Sequence, residues 1–140
     1  MPTVAEYLSQ VPFLRSVPSV ELRRIAPAFT KHRLAAGEVL WKYGEPALDM
    51  AILVEGDLIA SANGKDVGRA KAPDLVGEAG AFIAGALRTA TLSSDTGTTV
   101  LILNAPDLRA LRFAKSAAYE CFLEYALRAL IRRVSATSRE

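Results

Sequence analysis

The sequence predicts an α+β protein, mainly β: an antiparallel β-roll or jelly roll flanked by N-terminal helices and a long C-terminal helix. Three observations carry that expectation. Short runs rich in Val, Ile, Leu and Thr alternate with turn residues from Gly37 to Asn104, which is the texture of a sandwich, barrel or roll. Apolar residues recur at helical spacing over the first thirty positions. They do so again after residue 105, as a broad stripe near the C-terminus.

In chain order, Val4, Leu8 and Val11 share one face of a short helix. A second helix begins after Pro18, with Ser19 as N-cap, Glu21 in its first turn, and Leu22, Ile25 and Ala26 turned inward. Pro27 stops or kinks it. The predicted strands are Glu38–Tyr43, Met50–Val54, Asp57–Ala62, Arg88–Ser93 and Thr99–Leu103, punctuated by Gly44, Gly56, Asn63-Gly64 and Thr96-Gly97. Asn63-Gly64 suits a type I′ hairpin, whose two central residues both need positive φ. Asn104 caps a short helix with Pro106 and Asp107 in its first turn. A long helix then runs from about Ser116 to Ser135, with Leu123, Leu127, Leu130, Ile131 and Val134 as its apolar stripe. The expected organisation is one domain over 1–140: N-terminal helices in 1–30, the roll in 37–104, and C-terminal helices in 105–140.

Composition narrows the function. At 140 residues, 51% hydrophobic and 23% charged, the chain fills one core without staples. Seventeen basic against fifteen acidic residues give a net charge of +2, which argues against a dedicated nucleic-acid binder. One cysteine, Cys121, excludes an internal disulfide, and one histidine, His32, removes the usual parts of zinc sites and His-based triads. With neither a nucleophile and base nor a metal site to assemble, an enzyme is not expected. The longest apolar stretch, Ala79 to Leu87 counting its glycines, is far shorter than the roughly 20 residues of a membrane helix. No signal peptide is visible, so the expected location is cytoplasmic.

One stretch, residues 76–91, breaks the β texture. It opens on a tight Gly77-Glu78 turn, has room for one short helix, and re-enters a strand at Arg88. Small residues at 77, 79, 80 and 81 let backbone N–H groups approach a ligand closely. The N-terminal end of a short helix favours an anion. Arg88 supplies a planar, bidentate partner for a phosphate, and Glu78 an acceptor for a sugar hydroxyl. Anion cradle, fixed cation and carboxylate together describe a pocket for a sugar phosphate. The competing reading is a structural ion pair between Glu78 and Arg88 with no ligand.

At this point the sequence resembles the cyclic nucleotide-binding domains, especially the bacterial catabolite-activator branch. The matching residues are Ala36-Gly37-Glu38-Val39-Leu40, then Gly44-Glu45-Pro46, then Leu53-Val54-Glu55-Gly56-Asp57-Leu58. Last comes the phosphate-binding cassette, Gly77-Glu78 through Arg88-Thr89-Ala90-Thr91, with the ten-residue interval from Glu78 to Arg88 ungapped. The likeness runs from about residue 8 to 138, and the cassette is its specific part. It implies that Arg88 binds the exocyclic phosphate of a 3′,5′-cyclic nucleotide and that Glu78 accepts from the ribose 2′-hydroxyl. Gly77 and Ala79 would give backbone contacts, and Thr89 would offer its hydroxyl to the phosphate or the base. The segment Arg132 to Ser138 resembles the part of the family's terminal helix that touches the base, which implies base or lid contacts from Arg133, Thr137 and Ser138. Thr89 is compatible with cGMP, whereas the cassette spacing and the terminal Thr-Ser favour cAMP. No cofactor is implied beyond that ligand.

Two departures qualify the resemblance. The usual glycine-rich turn before the cassette is here Ala72-Pro73-Asp74-Leu75. The family's transcription factors carry a helix-turn-helix after the long helix, and past Ser138 only Arg139 and Glu140 remain, so a sensor without that output is expected. A ligand would act by shifting the long helix against another copy of the chain or a separate effector protein. The stripe is expected to pack on its own roll or on a partner helix, with a homodimer as the favoured case. Arg128, Arg132, Arg133 and Arg139 read as a solvated face with no direct DNA contact. His32 reads as a surface loop residue, Cys121 as a small apolar helix residue, and Trp41, Tyr43 and Phe82 as core. The alternatives are a ligand-free interaction module on the same fold, or the excised regulatory domain of a larger channel, kinase or transcription factor.

Overall fold

The computed structural model describes the backbone of residues 2–138 and side chains through residue 132. Two four-stranded antiparallel sheets form the roll. The strands are β1 (Thr30–Leu34), β2 (Val39–Trp41), β3 (Asp49–Glu55), β4 (Asp57–Ala62), β5 (Lys65–Lys71), β6 (Asp74–Val76), β7 (Thr91–Ser94) and β8 (Thr98–Asn104). One sheet has the order β1-β8-β3-β6 and the other β2-β7-β4-β5. Helices α1 (Val4–Ser9) and α2 (Ser19–Ile25) precede them, α3 (Glu78–Phe82) interrupts them, and α4 (Ala105–Phe113) and α5 (Ala117–Ser138) follow.

The central pair β3 and β8 explains the double core. Strand residues alternate between faces, so a strand buried on both sides must be apolar at every position. Met50, Ile52, Leu101 and Leu103 face the helical layer, where they meet Leu8, Leu14, Leu22 and Phe122. Ala51, Leu53 and Val100 face the interior of the roll, against Leu34, Leu58 and Val76. Because these two strands read as continuous apolar runs, they match their predicted positions to within a residue at either end.

The Asn104 cap and the Asn63-Gly64 turn are found where expected, and a capping box that was not foreseen starts α1. Thr3 and Glu6 form a capping box on α1. Asn104 Oδ1 accepts from the Asp107 amide at 2.8 Å, as its position predicted. Asn63 and Gly64 take φ of 55° and 76° in the β4–β5 hairpin, the backbone that a type I′ turn demands.

Several expectations need correction. The N-cap of α2 is Pro18, with no side-chain cap, and Ser19 is the first helical residue. The α-helix ends at Ile25 and gives way to a 3₁₀ turn, Ala26–Ala28, so the stop expected of Pro27 is found. The strand expected from Arg88 starts at Thr91, and Leu87 makes only an isolated bridge with Pro46. Strands β1, β5 and β6 were not foreseen. The first two are edge strands whose side chains are almost all exposed, so no alternating apolar pattern marks them. Their lysines, arginines and aspartate suit unpaired edges. His32 consequently sits on β1, exposed, with Glu38 3.4 Å away, and not in a loop. Tyr43 is 56% exposed and is not core.

The long helix buries a different face from the one its stripe suggested. Ala118, Phe122 and Ala129 are buried, with Cys121 and Tyr125 partly so. Leu123, Leu127, Leu130 and Ile131 are exposed, so the stripe does not pack on its own roll. The side chain of Val134 lies outside the described residues, as do those of Arg133, Thr137 and Ser138.

Candidate functional site

Gly77, Glu78, Ala79, Arg88 and Thr89, separated by up to twelve positions in sequence, line one cavity of about 310 Å³. That volume lies at the lower end of small-ligand sites, which run from about 300 to 1,000 Å³. The local sequence builds it in three moves. Strand β6 carries the chain to Gly77, whose φ of 69° turns it into α3. The short helix then sets Glu78 and Ala79 at the cavity wall, Glu78 only 6% exposed. After a loop the chain returns beside it and inserts Arg88, 7% exposed.

The glycines are dictated by Trp41 and Ala47 first, and by Arg88 behind them. A Cβ on Gly77 would lie 2.7 Å from Arg88 Nη1 and 2.4 Å from Trp41 Cζ3. A Cβ on Gly80 would lie 3.1 Å from the same nitrogen and 2.6 Å from the Ala47 Cβ. Any larger residue would therefore push the α3 backbone away from Trp41, Ala47 and the guanidinium together. Gly77→Ala is expected to combine this clash with left-handed strain of about 1–2 kcal/mol. Thermal unfolding should show a drop of at least ~5 °C in Tm, whereas Gly64→Ala, with nothing within 4 Å, loses only the strain component.

Arg88 is held by two partners. Its Nη2 donates to the Asp49 Oδ1 at 2.6 Å and to the Asp49 backbone carbonyl at 3.0 Å. The guanidinium carbon also sits over the Trp41 ring, 3.5 Å from its centre, a cation–π contact. Burial pushes the guanidinium below the ordinary arginine value, with Asp49 and then Glu45 opposing the shift. It remains a cation at any physiological pH. Its Nε–H is buried without a hydrogen-bond partner, the one such side-chain atom among the described residues. A buried charged donor left unsatisfied is costly, so this N–H is a cost that the arrangement carries as it stands.

The ion pair of Arg88 is thus with Asp49, a residue with no sequence signal of its own. Trp41, assigned to the core from sequence, is half-buried and lines the cavity. Phe82 is also half-buried and packs edge-on against Tyr119 of α5, with ring centres 5.9 Å apart. A second link to α5 lies at the cavity rim, where the Tyr125 hydroxyl donates to Asp74 Oδ1. Burial and Asp74 push the Tyr125 phenol up to about 12. A proton held more tightly in the folded state than at the free value near 10 stabilises the fold below pH 10. That contribution is lost as pH rises from 10 towards 12. Tyr7, buried and bonded to Glu55, is raised as well, so phenolate absorbance during alkaline titration should lose one of its late-ionising tyrosines, not all of them, in Tyr125→Phe. Among the described residues no group of three His, Cys, Asp or Glu could hold a metal, and no helix is long and apolar enough to cross a membrane.

Comparison with known proteins gives the same direction. Residues 31–115 match the model of the cyclic nucleotide-binding domain. A protein of Rhodopseudomonas palustris, named for a potassium channel, is 29% identical over 107 residues. The match covers 74% of this chain and only 26% of that relative's length. Among solved structures, the N-terminal domain of a transcriptional regulator from Streptomyces coelicolor superposes with a TM-score of 0.74 at 20% identity, covering 94% of both chains. The regulatory domain of Toxoplasma gondii PKA, crystallised with cAMP, gives 0.72 at 19% identity over 90% of this chain and 49% of that one. At such identities the superpositions establish the fold.

Proposed function

The chain belongs to the cyclic nucleotide-binding domain family, and from that premise we propose that it binds a 3′,5′-cyclic mononucleotide, cAMP in preference to cGMP, as a regulatory sensor. The observation that carries this reading is Arg88: a buried cation fixed by Asp49 and Trp41, with an unpartnered N–H, in a cavity walled by the cassette. The exocyclic phosphate accepts from the Arg88 guanidinium and from backbone amides at the very start of α3, ahead of Gly80, whose N–H already donates to the Gly77 carbonyl at 3.1 Å. Glu78 accepts from the ribose 2′-hydroxyl, Gly77 and Ala79 contribute backbone contacts, and Thr89, exposed at the rim, offers its hydroxyl to phosphate or base. The base contacts that the family resemblance assigns to Arg133, Thr137 and Ser138 fall on side chains outside the described residues.

Output runs through α5. Tyr125–Asp74 and Phe82–Tyr119 tie that helix to the cavity rim and to the cassette helix. A ligand shifts the helix only by its differential affinity for the two helix positions. The readout is the exposed row Leu123, Leu127, Leu130 and Ile131, which meets a second copy of the chain or an effector protein, not DNA. The role is non-enzymatic and cytoplasmic. The length of the Rhodopseudomonas relative also supports a regulatory segment of a larger protein. One observation favours a ligand-free module instead: Arg88 already has a carboxylate partner in Asp49.

Isothermal titration with cAMP and cGMP separates these readings. Saturable binding at micromolar concentration or tighter, with cAMP the stronger, is expected. Heatless traces for both, with Tm unmoved, would leave the scaffold reading. Tyr125→Phe is expected to retain cAMP affinity within about threefold while reducing the nucleotide-induced change in hydrogen exchange along α5.

A further inference from the structure

Behind the cassette lies a second, larger depression of about 710 Å³, bounded by α3, the loop after it, Ala47 and Leu48 just ahead of β3, α4, and Tyr119 of α5. Its apolar floor includes Leu48, Phe82, Ile83 and Leu108, and its rim carries Arg109 and Arg112. Leu48 and Ile83 are 68% and 59% exposed, unusual for large aliphatic side chains lying together. One turn after Arg109 on α4, Phe113 extends the same side and is exposed as well. No aspartate or glutamate lines the groove. Neither rim arginine forms an ion pair among the described residues, whereas Arg24, Arg33, Arg69 and Arg128 each have a carboxylate within 4.0 Å. The groove therefore combines apolar anchoring surface with two uncompensated cations.

We propose that this groove docks a short acidic segment of a partner protein, with apolar side chains seated on Leu48, Phe82 and Ile83 and carboxylates on Arg109 and Arg112. Its position gives the docking a consequence. Ala47 and Gly80 line both this groove and the Arg88 cavity, so one thin wall, the backbone of α3, separates the two sites. A segment pressed against one side of α3 and a phosphate drawn to the other are linked reciprocally. That linkage rests on the nucleotide-binding reading; the docking itself does not.

The test uses the full chain and a fluorescently labelled synthetic peptide of leucines and glutamates at helical spacing, with a leucine–lysine peptide as control. Saturable binding of the glutamate peptide, at least ~10-fold weaker for Arg109→Glu/Arg112→Glu, is expected. Both arginines are exposed, so the variant should keep its melting temperature. Saturating cAMP should change the peptide affinity by about threefold or more. Equal binding of the two peptides, or an unchanged affinity in the double variant, would overturn the proposal. Self-association of the unliganded chain that the double variant abolishes would assign the groove to a second copy, and overturn it too. A nucleotide titration without peptide reports on the Arg88 cavity alone, so failure there is seen separately.

Discussion

Arg88→Ala is expected to weaken cAMP binding by about tenfold to a few hundredfold while leaving the protein folded. The magnitude follows from hydrogen bonds to a charged group, which contribute about 1.5–3 kcal/mol each. The fold survives because the substitution removes a buried cation whose own desolvation is unfavourable. It strands only Asp49, whose side chain is 27% exposed and can take water in exchange. Arg88→Lys should recover little, since an ammonium lacks both the planar face that stacks on Trp41 and the Nε–H edge. Asp49→Asn should fall between, because it loosens the guanidinium without removing it. Calorimetric titration measures all three, with circular dichroism melts as the folding control. Equal affinity of Arg88→Ala and the parent protein would remove the phosphate contact from the account.

Phe122→Ala is expected to give the largest loss of stability, about 3–5 kcal/mol. This side chain is fully buried and joins α5 to the N-terminal layer, with ring centres 5.8 Å from Phe13 and 6.2 Å from Phe29. Against a total stability of about 5–15 kcal/mol, that is a drop in Tm of roughly 10–20 °C. Leu127→Ala, five residues further along α5 on another face and half exposed, should change monomer stability by no more than about 0.5 kcal/mol. Urea unfolding at low protein concentration distinguishes them. Comparable losses for both would mean that α5 packs through its leucine row, contrary to the observed docking.

That pair of residues also shows what the sequence could and could not convey. Helix α5 is apolar on two sides, Phe122 and Ala129 on one and Leu123, Leu127 and Leu130 on another. Periodicity reports that a helix has apolar faces but not which of them meets the roll. The central strands were legible because burial on both faces forces an unbroken apolar run. Edge strands such as β5, with Lys65, Asp66, Arg69 and Lys71, carry no such mark. In the site the cassette was legible because its glycines and Arg88 lie at a fixed spacing along one segment. Asp49 and Trp41 were not, since they reach Arg88 from β3 and β2 through tertiary packing alone. A buried arginine does demand a carboxylate, and that demand was the one signal available, though it does not say which.

Trp41 is the only tryptophan in the chain and lies against the guanidinium that is to receive the phosphate, which makes it an internal reporter of the central claim. Its emission should be followed as cAMP is added to the parent protein and to Arg88→Ala. The account predicts a saturable change in the parent, a weaker one with cGMP at equal concentration, and a curve displaced to much higher nucleotide in the variant. Emission that stays flat through millimolar cAMP and cGMP, with a melting temperature equally unmoved, would contradict it.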